Sequence, residues 1–284
     1  HAICSDGLYS RLELSGGTIK SNGSYGTVYM RASDSNVIVR GTAKVENTGP
    51  GDVITGSGME VSVKGGSVYA ANGTAVRAFS VNVSGGTVSS GGAEAALAAM
   101  TANISGGRVE AAGSGDAITS QTVDIKGGIV SARSGFAVQI GGAGSVKIGN
   151  GFVFAFGTGN AIIPNVIKMD FNAQPKISGN AVVCVWSNPG GKPVFTEGTS
   201  TNLSANSGSS VVWAQEGGQA GIRYQKGNNK GFFAIDGVTI IEAEATSTTS
   251  TEAATKVTIS TSTEAPSDTT DDTRSSVYSS PASE

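Results

Sequence analysis

VSVKGGSVYA at residues 61–70, VNVSGGTVSS at 81–90, ANISGGRVEA at 102–111, VDIKGGIVSA at 123–132 and VKIGNGFVFA at 146–155 state one phrase five times. Aligned on the second residue of each glycine pair, Gly66, Gly86, Gly107, Gly128 and Gly151 lie 20, 21, 21 and 23 residues apart. A fixed period in this range marks a repeat architecture. Val61, Val63, Val68 and Ala70 are apolar at alternating positions either side of the glycines, as are Val123, Ile125, Val130 and Ala132. Each phrase therefore holds two short strands joined by a glycine bend. A quieter motif follows: GTAV at Gly73, AEAA at Ala93, GDAI at Gly115, GFAV at Gly135 and GNAI at Gly159. It supplies a third strand, with the small Ala75, Ala95, Ala117, Ala137 and Ala161 predicted to point inward. Three strands and three bends per period make one coil of a parallel β-helix. No coil buries its apolar face alone, so neighbours must stack like on like. A helical reading fails because nothing repeats at i, i+3 and i+4.

Working outward, LELSGGTIKSNG at residues 12–23 already carries the phrase, and VIVRGTAKVEN from Val37 with GDVI at Gly51 is a degraded copy. The predicted fold is all-β, a single-stranded right-handed parallel β-helix of about seven coils of 20–25 residues spanning residues 8–163. At the ~4.8 Å strand spacing this is a rod about 30–35 Å long. Residues 1–7 are expected to form an N-terminal cap that hides the unpaired edge. Beyond Pro164 the beat is broken by Pro175, Pro189 and Pro193. Residues 164–243 read as a C-terminal antiparallel β cap, in which SSVVWAQ, AGIRYQK, KGFFAID and VTIIEA form a meander closing the far end. Residues 244–284 are Ser/Thr-rich with Pro and acidic residues and almost no large apolar ones. Such a tract cannot offset the entropy of ordering and is expected to be a disordered stalk or linker.

The totals exclude several classes. Of 284 residues 42 are glycine without a three-residue beat, and only 14% are charged, so the chain is neither collagen nor a charged disordered polymer. A net charge of −3 without a basic cluster argues against nucleic acid and anionic membranes. No apolar run reaches the 18 residues of a membrane span. The chain starts at His1, which suggests a processed product lacking its signal segment. Cys4 and Cys184 could pair only across nearly the whole folded region, and two isolated thiols are the expected state.

Chemistry is sparse. The only histidine is His1, which leaves no Ser-His or Cys-His pair and no histidine metal site. The expectation is a non-enzyme, because short bends leave little wall for a catalytic cleft. Stacking would align Asp52, Thr74, Glu94, Asp116, Phe136 and Asn160 in one column, which makes Glu94 and Asp116 neighbours able to share Ca²⁺. The plain alternative is a row of solvated turn residues, favoured by the lack of a dense acidic run. Arg40, Lys64, Arg108 and Lys126 outline a basic track for an acidic polysaccharide, though serines interrupt it. Phe152, Phe154 and Phe156 fall on outward positions of the last coil. They would either lie under the cap or offer a platform for sugar rings. A regular ice-binding face is argued against by the mixed column Thr18, Ser67, Thr87, Arg108, Ile129 and Phe152.

The repeat SGGTV at Ser84–Val88, with GDAI at Gly115–Ile118 as its companion motif, resembles the β-helical repeats of large bacterial surface proteins. These include carbohydrate-binding domains of the pectin-lyase-like solenoid type that recognise pectin-like polymers. The resemblance covers residues 8–163 and implies a non-catalytic parallel β-helix with calcium sites. Together these readings predict an extracellular or cell-surface module for carbohydrate binding or adhesion, monomeric, with a polysaccharide or surface glycan as partner. A polysaccharide lyase-like enzyme and a purely structural spacer are the alternatives.

Overall fold

Each glycine pair turns the chain between two strands, and in the computed structural model the strands of successive repeats lie over one another. The structure describes residues 1–156, 166–170, 174–187 and 193–243; the predicted stalk and Ala161 lie outside them. The described residues are all-β, without helix. In chain order the solenoid strands are β1 (Ile3–Ser5), β2 (Arg11–Leu14), β3 (Thr18–Ser21), β4 (Val28–Met30), β5 (Asn36–Val39), β6 (Lys44–Asn47), β7 (Ile54–Thr55), β8 (Glu60–Ala70), β9 (Val76–Ser90), β10 (Leu97–Ile104), β11 (Arg108–Ala111), β12 (Ile118–Ala132), β13 (Val138–Phe156), β14 (Ile167–Met169), β15 (Lys176–Ile177) and β16 (Val182–Trp186). The remaining strands are β17 (Val194–Thr196), β18 (Leu203–Ala205), β19 (Ser210–Glu216), β20 (Gln219–Lys226), β21 (Asn229–Ala234) and β22 (Thr239–Ile241).

The solenoid makes about seven parallel turns with three faces. The first face runs through β2, β5, β8, β9, β10, β12, β13 and β15. The second runs through β3, β6, β8, β9, β11, β12, β13 and β16. The third runs through β1, β4, β7, β9, β10, β12, β13 and β14. Alternation sends every second side chain inward, so Val61, Val81, Ala102, Val123 and Val146 form one dry column and Val68, Val88, Val109, Val130 and Val153 another. Each fully buried aliphatic side chain contributes roughly 1.5–3 kcal/mol. The few inward polar groups are bonded: Asn47 donates to the carbonyls of Gly23, Tyr25 and Asp52 and accepts from Gly49 N–H, which stitches the bend to the third face.

Five expectations are corrected. Residues 1–7 do not fold over the end, because Ile3–Ser5 pairs in register with Val28–Met30 as the first strand of the ladder. Parallel pairing also continues past Pro164, through β14, β15 and β16, since Ile167, Ile177, Val183 and Val185 keep the inward alternation. Ala96, not Ala95, occupies the inward column of Ala75, Ala117 and Ala137. An extra residue in the preceding bend shifts the register, so Leu97 faces Val76 and Ile118. In the cap, β19, β20 and β21 form the antiparallel meander, but β22 pairs in parallel with β17. The cap also covers a side of the solenoid: Phe152, Phe154, Val182 and Cys184 point outward from the second face into a core with Trp213, Ile222, Tyr224 and Phe233. Among the described residues only β18 lies on the last edge of that face, antiparallel to β16.

Asn206 latches cap to solenoid. Its Oδ1 accepts from Val183 N–H at 2.8 Å, and its Nδ2 donates to the Ala181 carbonyl at 3.0 Å. Asn206→Ala leaves both backbone groups buried without partners, each at roughly 1–3 kcal/mol. The expected loss, read by urea unfolding, is at least about 1.5 kcal/mol; an unchanged midpoint would show that the latch is dispensable. Both cysteines are free thiols, Cys4 exposed and Cys184 buried, and burial pushes the Cys184 thiol far above its ordinary pKa. Cys184 is therefore inert packing.

Candidate functional site

The acidic column dissolves on the third face. The same extra residue that brings Ala96 inward moves Glu94 out of register, so the neighbour of Asp116 in the column is Ala95. Asp116 Oδ1 accepts Phe136 N–H of the next coil at 2.7 Å, just as Asp52 Oδ1 accepts Thr74 N–H at 2.9 Å. These carboxylates cap the backbone of the following coil. Glu94 faces Arg77 Nη2 at 3.8 Å, and Arg77 Nε donates to Asp52 at 2.8 Å. Glu94 and Asp116 do border one shallow hollow together with Arg77. A guanidinium thus stands where a cation would sit, and among the described residues no group of three or more metal-ligating side chains converges. Calcium needs six to eight oxygens, so the residues do not fit it.

The four basic residues do not form a track either. Arg40 is paired with Glu13, whose carboxyl is held below the usual range by hydrogen bonds from Arg40 and then Arg11. Lys126 Nζ lies 2.9 Å from Asp124. Lys64 is exposed on the bend and pairs in register with Gly85. Arg108 belongs to a different column, where it follows the glycines rather than preceding them.

The aromatic trio is split. Phe152 and Phe154 are fully buried: Phe152 stacks on Tyr224 at 4.2 Å, and Phe154 lies 5.4 Å from Phe233. They are core of the cap junction, so an open platform at these two rings is corrected. Phe156 remains half-buried at the rim, edge-on to Phe154 and Trp186.

A cleft forms where cap and second face meet. It encloses about 90 Å³ and is bounded by Arg108, Glu110, Ser131, Arg133, Phe154 and Phe156 on the solenoid and by Phe233 and Asp236 on the cap. Successive outward positions of one column, Glu110, Ser131 and Phe154, supply its floor. Arg108 Nε donates to Glu110 at 2.7 Å while its guanidinium lies 4.8 Å above the Phe233 ring. That ion pair neutralises the wall and fixes the ring. Arg133 is exposed at the mouth. Ser131 is only 3% exposed, and its Oγ has no hydrogen-bond partner among the described residues. A buried hydroxyl left unpaired costs roughly 1–3 kcal/mol. Ser131→Ala removes that cost, and the expected result is a gain of about 1 kcal/mol in urea unfolding; a loss of stability would mean that the hydroxyl is bonded within the fold.

Of the residues singled out from sequence, the structure brings Arg108, Phe154 and Phe156 to this cleft and leaves Arg40, Lys64, Lys126, Glu94 and Asp116 elsewhere. Ser131, Glu110, Arg133, Phe233 and Asp236 were not legible as site residues. The available signal was the outward column two residues after the first strand position of the second face, Glu46, Tyr69, Ser89, Glu110, Ser131 and Phe154. The cleft thus combines a neutralised ion pair, an aromatic edge and a buried serine without a hydrogen-bond partner among the described residues. Comparison with protein-family models, with curated proteins and with solved structures finds no match for this chain.

Proposed function

We propose that the chain is an extracellular or cell-surface module that binds carbohydrate, in an adhesive and non-catalytic role, and that the cap-junction cleft is where it does so. One observation carries this reading: Ser131, whose buried hydroxyl has no partner among the described residues, lines the cleft beside an aromatic edge. A site that keeps an unpaired polar group at a cost in stability is one where a ligand supplies the partner. Sugars present both hydroxyl donors and an apolar ring face, which Phe156 at the rim can meet. The Ser/Thr-rich composition of residues 244–284 supports display at a surface on a spacer.

The test is binding of the whole chain to a glycan array, followed by calorimetry on the ligands found. Ser131→Ala is expected to weaken binding about three- to tenfold, the worth of one neutral hydrogen bond, while Phe156→Ala weakens it at least as much. Failure to bind any glycan, or binding untouched by both substitutions, would overturn the proposal. Appearance of shortened or unsaturated products would replace it with the enzyme reading.

A further inference from the structure

The cleft at the cap junction is small, and its size limits what can enter. It encloses about 90 Å³, whereas an apolar cavity of roughly 150 Å³ holds a single benzene ring. A pyranose ring with its hydroxyls is larger than benzene and stays outside, so only a substituent of that ring can reach Ser131. The lining sets the chemistry of that substituent. Apolar surface comes from Ala112, Ala234 and Ile235 and from the rings of Phe154, Phe156 and Phe233. Ser131 stands among them in the outward column between Glu110 and Phe154, 3% exposed and with its Oγ unpartnered among the described residues.

We infer, resting on the carbohydrate-binding reading of this cleft, that the group it takes is an acetamido substituent, so that the module selects N-acetylated sugars over their unacetylated counterparts. The group must fit a small space, cover apolar walls and pair with one hydroxyl. An acetamido group is smaller than a benzene ring and does all three. Its carbonyl oxygen accepts the Ser131 O–H, and its methyl covers the alanine and aromatic surface. Its N–H is a donor, for which Glu110 and Asp236 at the wall carry carboxylate oxygens. The sugar ring then lies across the rim, where the half-buried Phe156 can meet its apolar face.

Other common sugar substituents satisfy less of the wall. A hydroxymethyl group pairs with Ser131 but leaves the apolar surface uncovered. A carboxylate or sulfate enters a site whose four charged residues, Arg108, Arg133, Glu110 and Asp236, sum to zero. Of the two cations, Arg108 is already held by Glu110 at 2.7 Å and seated 4.8 Å over the Phe233 ring. Arg133 is exposed at the mouth, where water and salt screen its pull on an anion. The carboxylates of Glu110 and Asp236 oppose an anion directly. The lining therefore favours a neutral group that carries both an apolar end and a hydrogen-bond acceptor.

Titration calorimetry of the full 284-residue chain with chitotetraose and with cellotetraose tests it, because the two differ only in carrying acetamido or hydroxyl at each ring. Tetragalacturonate serves as the anionic probe. Chitotetraose is expected to bind more tightly than cellotetraose by about tenfold or more, since one neutral hydrogen bond is worth about three- to tenfold and one buried methyl about fourfold. Ser131→Ala, its fold verified by circular dichroism, is expected to cut the chitotetraose-to-cellotetraose ratio about three- to tenfold. Equal affinities, a preference that Ser131→Ala leaves intact, or tighter binding of tetragalacturonate overturns the inference while carbohydrate binding stands. Absence of chitotetraose binding overturns it too. In that case the carbohydrate reading survives if array glycans bind through Ser131 and Phe156, and falls with it if no glycan binds.

Discussion

Trp213→Ala is expected to destabilise the cap by about 3–5 kcal/mol, the usual cost of truncating a fully buried aromatic. Trp213 is wholly buried in the second core, stacks on Phe195 at 3.9 Å and meets Trp186 edge-on at 6.4 Å. Its indole N–H donates to the Thr201 carbonyl at 3.0 Å, a bond that the substitution also removes. Because solenoid coils contact mainly their neighbours, the loss should fall on the cap and on the coils it covers. The chain contains only two tryptophans, so Trp186 becomes the sole indole reporter, and it sits in the same cluster. Its fluorescence should change at a lower urea concentration than the far-UV signal of the strands. Coincident transitions with a shift below about 1 kcal/mol would mean that the cap does not rest on this residue.

Gly86→Ala is expected to destabilise far more than Gly17→Ala, although both glycines occupy the second place of a pair and both have positive φ, +70° and +75°. Each substitution carries the left-handed penalty of roughly 1–2 kcal/mol. At Gly86 a Cβ would stand 2.6 Å from backbone atoms of Gly65 and Gly66 in the coil beneath, whereas at Gly17 nothing lies within 4 Å. The difference isolates stacking from conformation. Thermal or urea unfolding of the two variants should place Gly17→Ala near the left-handed penalty alone, and Gly86→Ala at more than about 3 kcal/mol. Equal effects would indicate that the glycine pairs serve only their own bends.

The solenoid was legible because its determinants are local and repeated. Val61, Val63, Val68 and Ala70 alternate around a glycine that a Cβ would jam against the preceding coil, and the pattern recurs with little change. Where the period itself varies, legibility fails by one residue. The bend before Ala96 is longer by one, which displaces Glu94 from the Asp116 column and removes the basis for a shared calcium. The ends were harder still. Ile3–Ser5 is too short to show a period, and Ile167, Ile177 and Val183 keep their inward places across a stretch whose prolines hide the beat.

The cleft depended on a tertiary event that no column records. Outward Phe152 and Phe154 signalled a partner surface, yet which cap residues meet them is set by the docking of β21, through Phe233. Ser131 reads as an ordinary solvated serine until the cap covers it. Arg108, taken from sequence as part of a basic track, is held over Phe233 and tied to Glu110. Its charge is neutralised where the sequence suggested a binding cation.

The account rests on adjacent repeats lying parallel and in register. Asn82 and Asn103 are register partners on the first face, their side-chain amides 2.9 Å apart, and Asp124 is the next residue along. In a Cys4→Ser background, Asn82→Cys with Asn103→Cys places two thiols one strand spacing apart, within the roughly 4.4–6.8 Å Cα separation a disulfide spans. Peptide mapping after mild oxidation should find that cross-link at high yield, and none when Asn82→Cys is combined with Asp124→Cys, two layers away. A linked 82–124 pair, or no link between 82 and 103, would contradict the stacked-coil architecture itself.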